Sequence, residues 1–182
     1  AGDEVGNEID TDYDGFTYLV GNTIGSASGI STAGAQQTSN AGGQDGFIVK
    51  FDTTGTPMWG TYYGGPMEDS LSAVAVESNN IIVAGTTTSA SGIHTPSAHQ
   101  TALADSVDAF MAKYDQTGTL QWGTYFGGPS TDFGNAVEIY NSRIYLVGTT
   151  YSDSMIITQG AYKSTIDSAD VFLCKFDTLG NQ

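Results

Sequence analysis

The chain has 182 residues, and its 5 Lys+Arg against 20 Asp+Glu leave a formal net charge of −15. That balance excludes a surface built to hold nucleic acid or anionic lipid, because polyanions are repelled by it. With 39% hydrophobic and 11% aromatic residues the chain can bury a core, and its composition is far from that of a disordered polymer.

Taken in chain order, the predicted elements repeat. After "EVGNEI" at 4–9 comes an acidic turn, "DTDYDG" at 10–15, and a β-type run beginning "YLVGNT" at Tyr18. A long loop at 26–44 leads to "FIVKFDTTGTPMWGTYYGG" at 47–65, read as two strands joined by a Gly-containing turn. The connector "GGPMEDS" at 64–70 opens a second pass: "SAVAVES" at 72–78, a turn at Asn79 and Asn80, and "IIVAGTTT" at 81–88. A second long loop at 89–107 precedes "DAFMAKYD" at 108–115, a turn in which Gly118 supplies a positive φ, and "TLQWGTYFG" at 119–127. "GGPSTDF" at 127–133 then starts a third pass through "IYLVGTT" at Ile144, a loop at 152–169 and "FLCKFDTLGNQ" at 172–182.

The marker phenylalanines Phe47, Phe110 and Phe172 are 63 and 62 residues apart, so the chain holds about three copies of one unit: 1–65, 66–128, and 129–182 without its last strand. Within the third run of each unit the alternation is strict. Phe47, Val49 and Phe51 match Phe110, Ala112 and Tyr114, then Phe172, Cys174 and Phe176, which commits one face to a core. Cys174 thereby falls where its sisters are Val49 and Ala112. It is expected to be a small core residue, and as the single cysteine it excludes an internal disulfide. The predicted fold class is all-β: a β-propeller segment of about three four-stranded antiparallel blades in an incomplete ring, with a β-sandwich as the alternative.

The D-[AG]-F-x-x-K-[FY]-D-x-x-G core at 45–55 and 108–118, the W-x-T-Y-[YF]-G-G tail and the Y-[LV]-V-G second strand resemble the bacterial β-propeller repeat (SBBP) family. The third copy departs from the core with Val171 before Phe172. The resemblance covers nearly the whole chain and implies an extracellular or surface scaffold, with no generic set of catalytic residues.

Closed propellers use four to eight blades, so three would leave bare outward faces and an unpaired edge along the 172–177 run. Two expectations follow: an ordered slice of a longer polypeptide, or a protomer that associates with further copies of itself. Apolar runs such as 81–84 and 144–147 are strand-sized and no leader-like segment opens the chain, so membrane insertion is not expected and the chain reads as soluble and, if secreted, already processed.

Candidate chemistry is sparse. Asp10, Asp12 and Asp14 alternate ahead of Gly15 like the front half of a calcium loop, but position twelve is Gly21 and no helices flank it, so the other reading is a solvated acidic turn. Calcium is the single cofactor the sequence suggests. Lys50, Lys113 and Lys175 share one repeat position opposite the Phe ladder, with Asp45, Asp108 and Asp170 before them and Asp52, Asp115 and Asp177 after, which points to ion pairs between strands or blades. His94 and His99 have no counterparts in the other copies and make a poor metal pair. Glu68, Asp69 and Asp132 are the only carboxylates offered for glycoside hydrolysis, and "GSASG" at 25–29 only mimics a nucleophile elbow. The sequence therefore favours a non-enzymatic scaffold of a bacterial surface protein or filament. The alternative is an adhesin module that recognises glycan or protein through its long loops, where Tyr151 and Tyr162 are the available aromatics.

Overall fold

In the computed structural model, which describes residues 2–25 and 29–182, the chain is all-β and propeller-like. Sheet 1 contains β1 (Asp3–Thr11), β2 (Thr17–Ile24), β3 (Gln44–Phe51) and β4 (Pro57–Tyr63). Sheet 2 contains β5 (Asp69–Glu77), β6 (Asn80–Thr87), β7 (Asp108–Tyr114) and β8 (Leu120–Phe126), and sheet 3 contains β9 (Asp132–Tyr140), β10 (Arg143–Thr150) and β11 (Asp170–Asp177). Strands pair in chain order and antiparallel throughout, so each sheet is a meander. The described residues contain no helix long and apolar enough to cross a membrane.

Turn chemistry explains the boundaries. Asn141 and Ser142 between β9 and β10 both take left-handed φ, 50° and 57°, the mirror-image turn whose twist matches the flanking strands. Between β5 and β6 the turn residues are Ser78 (φ 54°) and Asn79, one position earlier than the sequence suggests, because Glu77 pairs directly with Asn80. Strand β5 also starts at Asp69 rather than Ser72, since Asp69 and Ser70 pair with Thr87 and Thr86. The three D-x-x-G turns that follow β3, β7 and β11 share one bonding pattern. Asp52 Oδ1 accepts from the N–H groups of Thr54 and Thr56 at 2.8 and 2.9 Å, Asp115 repeats this with Thr117 and Thr119, and Asp177 with Leu179 and Asn181. Gly118 closes its turn at φ 81°, as its neighbours Gly55 and Gly180 do at 83° and 86°.

Each sheet has a front face, carrying the Phe-x-[VAC]-x-[FY] row, and a back face. The front of sheet 2, with Phe110, Ala112, Tyr114 and Tyr125, packs against the back of sheet 1, with Tyr18, Val20, Ile48 and Tyr63. The front of sheet 3, with Ile139, Ile144, Leu146, Phe172 and Phe176, packs against the back of sheet 2, with Ala73, Ala75, Ile82 and Met111. Alanines on β5 let β9 approach closely. At Gly134 a Cβ would lie 2.4 Å from the carbonyl oxygen of Gly85, so no larger residue fits. These two sheet-to-sheet contacts hold most of the buried apolar side chains, at about 1.5–3 kcal/mol for each large one fully withdrawn from water.

Candidate assembly surfaces

The polar contacts between sheets repeat, with side chains of one sheet reaching to the next. Trp59 of β4 donates its indole N–H to the carbonyl of Gln116, in the β7–β8 turn of the next sheet, at 3.0 Å. Trp122 of β8 does the same to Thr178, in the turn after β11, at 3.1 Å. Each turn glycine lies flat on the Trp it meets: a Cβ on Gly118 would sit 2.8 Å from the Trp59 ring, and one on Gly180 3.2 Å from that of Trp122. Lys113 Nζ donates to the Thr178 carbonyl at 3.1 Å, while Lys50 Nζ and the Tyr18 hydroxyl both meet Gln116 Oε1. Lys50 also lies 4.3 Å from the centre of the Phe16 ring.

The expected ion pairs of Lys50 and Lys113 are therefore replaced by bonds to neutral oxygens on the next sheet. Among the described residues the ion pairs are those of Lys163 with Asp167 and Asp170. The physical reason is that the acids flanking the lysines are already engaged. Asp52 and Asp115 close their own turns, and Asp45 and Asp108 accept from Gln37 and Gln100 of the long loops at 2.7 and 2.9 Å. Burial lowers the pKa of both Lys50 and Lys113, yet a carbonyl or amide oxygen suffices for each.

Carboxylates of one sheet also cover the free edge of the next. Glu8 Oε2 accepts from Val74 N and Asp10 Oδ2 from Val76 N, both at 2.7 Å, which satisfies N–H groups along β5. Glu77 accepts from Asn141 N and Ser142 N at 2.7 and 2.8 Å.

A second repeated set consists of fully buried aspartates where one sheet hands over to the next. Asp69 Oδ2 accepts from Gly65 N and Ser89 Oγ at 2.6 and 2.7 Å, and Asp132 Oδ2 accepts from Gly128 N and Ser152 Oγ at 2.7 Å each. Asp45 and Asp108, also withdrawn from solvent, each leave Oδ1 without a hydrogen-bond partner. Burial raises the pKa of both to about 6; the N–H of Ala41 or Ala104 opposes the rise, and the charge of Asp69 or Asp132 adds to it.

The residues singled out from sequence are scattered among these structural duties. Asp12 organises the β1–β2 turn: Oδ1 accepts from Asp14 N and Phe16 N at 3.1 and 3.0 Å, and Oδ2 from the Tyr18 hydroxyl at 3.0 Å. Asp10 is turned to β5 and Asp14 is exposed on the turn. Among the described residues no group of three or more His, Cys, Asp or Glu side chains is arranged to hold a metal ion, and the calcium reading gains no geometry. His99 packs edge-on to Phe176 at 5.4 Å with its pKa lowered by burial, and His94 lies against Tyr125 at 6.0 Å. Glu68 accepts from Gln44 N, so Glu68, Asp69 and Asp132 serve separate loop and strand junctions. Cys174 is buried in the core between sheets 2 and 3, and burial pushes its thiol up to about 12. Tyr162 is fully exposed and Tyr151 partly so, while Ser26, Ala27 and Ser28 of "GSASG" lie outside the described residues.

The long loops share a frame that sequence reasoning missed. Thr32, Thr95 and Thr158 each accept at their carbonyl from Ala35, Ala98 or Ala161, and Gln37, Gln100 and Lys163 each reach the aspartate that starts the third strand. A T-x-x-A-x-[QK] pattern at the 63-residue interval was the available signal.

Two faces have no sheet against them. On the back of sheet 3, Val171 and Leu173 are 75% and 67% exposed with Tyr145 and Val147 half-buried beside them, whereas the sheet 1 counterparts Tyr18, Val20 and Ile48 are fully buried. On the front of sheet 1, Ile9 is 63% exposed, and Leu19 and Phe51 are partly covered by a small cluster around Phe47, Val49 and Tyr62. Fold and contacts together define a propeller-like array of repeated antiparallel sheets that stack front to back. No family model and no curated protein matches the chain. Among solved structures it is similar to the phage phi92 endosialidase, with 15% sequence identity and a TM-score of 0.42, over 91% of this chain and 26% of that one. The chain thus spans about a quarter of that structure's length.

Proposed function

We propose that this chain is a non-enzymatic structural element, a run of propeller repeats that assembles by stacking sheets, in the setting of a bacterial surface protein or filament outside the cell. The observation that carries the reading is the front-to-back contact itself. The face that sheet 3 leaves open is the repeat equivalent of the faces that sheets 1 and 2 bury, and the front of sheet 1 is the equivalent of what covers them. A second copy, set head to tail, would bury Val171 and Leu173 under Leu19 and Phe51. Support for an extracellular setting is compositional: few lysines, many Thr and Tyr, and the repeat pattern itself. A non-enzymatic role is supported by the duties of Glu68, Asp69 and Asp132, the carboxylates offered for hydrolysis, each held by backbone N–H or hydroxyl groups at a junction.

Sedimentation velocity from micromolar to submillimolar protein tests it. The expected result is a mass that rises with concentration, and Leu173→Asp, on an exposed position that costs the fold little, returns the protein to a single monomeric species. A concentration-independent monomer for the unaltered chain overturns the assembly reading.

A further inference from the structure

A cavity of about 730 Å³ forms a groove along the free edge of β11, facing the loop that carries Ile156, Thr158, Ala161 and Lys163. In the two other sheets the equivalent space is filled by a strand. There β4 and β8 lie between the third strand on one side and the loop on the other, and the loop holds them with the same bonds. Thr32 N and Thr95 N donate to the carbonyls of Gly60 and Gly123 at 3.0 and 2.9 Å, and Tyr62 N and Tyr125 N donate to the carbonyls of Gln37 and Gln100 at 3.1 and 3.2 Å. Gln37 N and Gln100 N donate to Thr61 Oγ1 and Thr124 Oγ1 at 3.0 and 2.9 Å. The glycine of each strand is obligatory, since a Cβ on Gly60 or Gly123 would stand 2.1 or 2.3 Å from the carbonyl oxygen of Ile30 or Ile93.

Every fixed part of that frame is already in place around the β11 groove. The Thr158 turn is closed by Ala161 N at 3.1 Å, as in both sister loops. Lys163 stands where Gln37 and Gln100 stand and holds Asp170 at 2.7 Å. Ile156 occupies the Ile30 and Ile93 position, and the register of β7 with β8, carried to β11, sets a partner's glycine opposite Cys174 and its threonine opposite Leu173. We propose that the groove is a strand-accepting site whose ligand is an extended peptide of the pattern W-G-T-Y-[YF]-G-G, added antiparallel to β11. Main-chain bonds to β11 and to the 158–163 loop give affinity, and the glycine that must pass Ile156 gives sequence selectivity. One difference from the sister sites is chemical. Gln37 and Gln100 present Oε1 to Gly64 N and Gly127 N at 3.2 and 3.0 Å, an acceptor that Lys163 cannot supply.

The experiment uses a fluorescein-labelled peptide with the sequence of residues 119–128, TLQWGTYFGG, titrated with the 182-residue chain by fluorescence polarisation, with amide NMR to locate it. Saturable one-to-one binding is expected, with shifts at residues 171–175 and at Thr158 and Lys163. A peptide carrying Val for the glycine after Trp binds at least about tenfold more weakly, and Lys163→Gln binds the parent peptide at least as tightly, having regained the acceptor. No saturable binding, equal affinity for the Val peptide, weaker binding to Lys163→Gln, or shifts confined to sheets 1 and 2 each overturn the assignment. Self-association is a separate matter: a chain that stays monomeric and takes up the peptide keeps this inference, and one that polymerises but ignores the peptide loses it alone.

Discussion

Replacing Asp108 by Asn should change stability in opposite directions on the two sides of about pH 4.5. Asp108 is fully withdrawn from solvent, with Oδ2 held by Gln100 and Ala104 N and Oδ1 without a partner. Its pKa is raised from 3.8 to about 6, first by burial. Between those values the folded state binds more protons than the unfolded one, so stability falls as pH rises through the interval and the full cost is present above it. The ceiling on that cost is about 3 kcal/mol at neutral pH. Asn keeps an acceptor for Gln100 and Ala104 but places an unpartnered N–H2 where Oδ1 stood, at about 1 kcal/mol. Asp108→Asn is thus expected to gain about 1–2 kcal/mol at pH 8, a rise in Tm of several degrees. It should lose about 1 kcal/mol at pH 3, below both values, where the acid is neutral in the folded and unfolded states alike. Urea unfolding followed by Trp fluorescence at pH 3, 4.5 and 8 measures both limbs. A difference of the same sign and size at all three would show that Asp108 is ionised at no cost and would refute the reasoning.

Three further outcomes are expected. Phe126→Ala, at a site 1% exposed and 5.1 Å from the Phe172 ring, should cost about 3–5 kcal/mol by the same unfolding assay. Gly123→Ala should cost at least about 2 kcal/mol, because the added carbon meets both the Ile93 carbonyl and the Tyr63 hydroxyl, and hydrogen exchange should report loosening of the 93–100 loop. Asp12→Ala should cost about 1–2 kcal/mol through loss of its turn bonds, and millimolar calcium should leave the Tm of the parent protein unchanged. A calcium-dependent rise of several degrees would restore the cation reading of that turn.

The repeat made the architecture legible before any coordinates, because a two-residue periodicity at Phe47, Phe110 and Phe172 can be satisfied in only one way: a strand with one committed face. The positive φ at Gly118 and the burial of Cys174 followed from the same register. The lysines misled because charge invites pairing with charge along the sequence, whereas the partners of Lys50 and Lys113 lie 66 and 65 residues away on another sheet's turn. The buried aspartates were visible as a recurrence at 45 and 108, but not as orphaned acids. Recognising them needed the loop glutamines, whose own recurrence was masked by differing residues between Thr and Gln.

The direction of the inter-sheet bonds bears on how any assembly would grow. Trp59 and Lys50 reach forward to the turn of sheet 2, Trp122 and Lys113 to the turn after β11, and Glu8 and Asp10 reach forward to β5. A sheet therefore presents reaching side chains at its back, Trp and Lys donors together with Glu and Asp acceptors, and the backbone groups of a strand edge and a turn at its front, so two backs or two fronts set together would leave these groups without their complements. The burial cost of unmatched polar groups, about 1–3 kcal/mol apiece, opposes a two-fold dimer through either open face. Head-to-tail addition satisfies them, and such heterologous contacts close into rings or extend as filaments according to the rotation between successive copies. A two-fold symmetric dimer of the back faces of sheet 3, with Leu173 against Leu173, is the arrangement that this polarity forbids. Cross-linking from a cysteine placed at Leu173 separates the cases: self-pairing of that position contradicts the polarity, and capture of a partner's front face, through a second cysteine at Ile9, supports it.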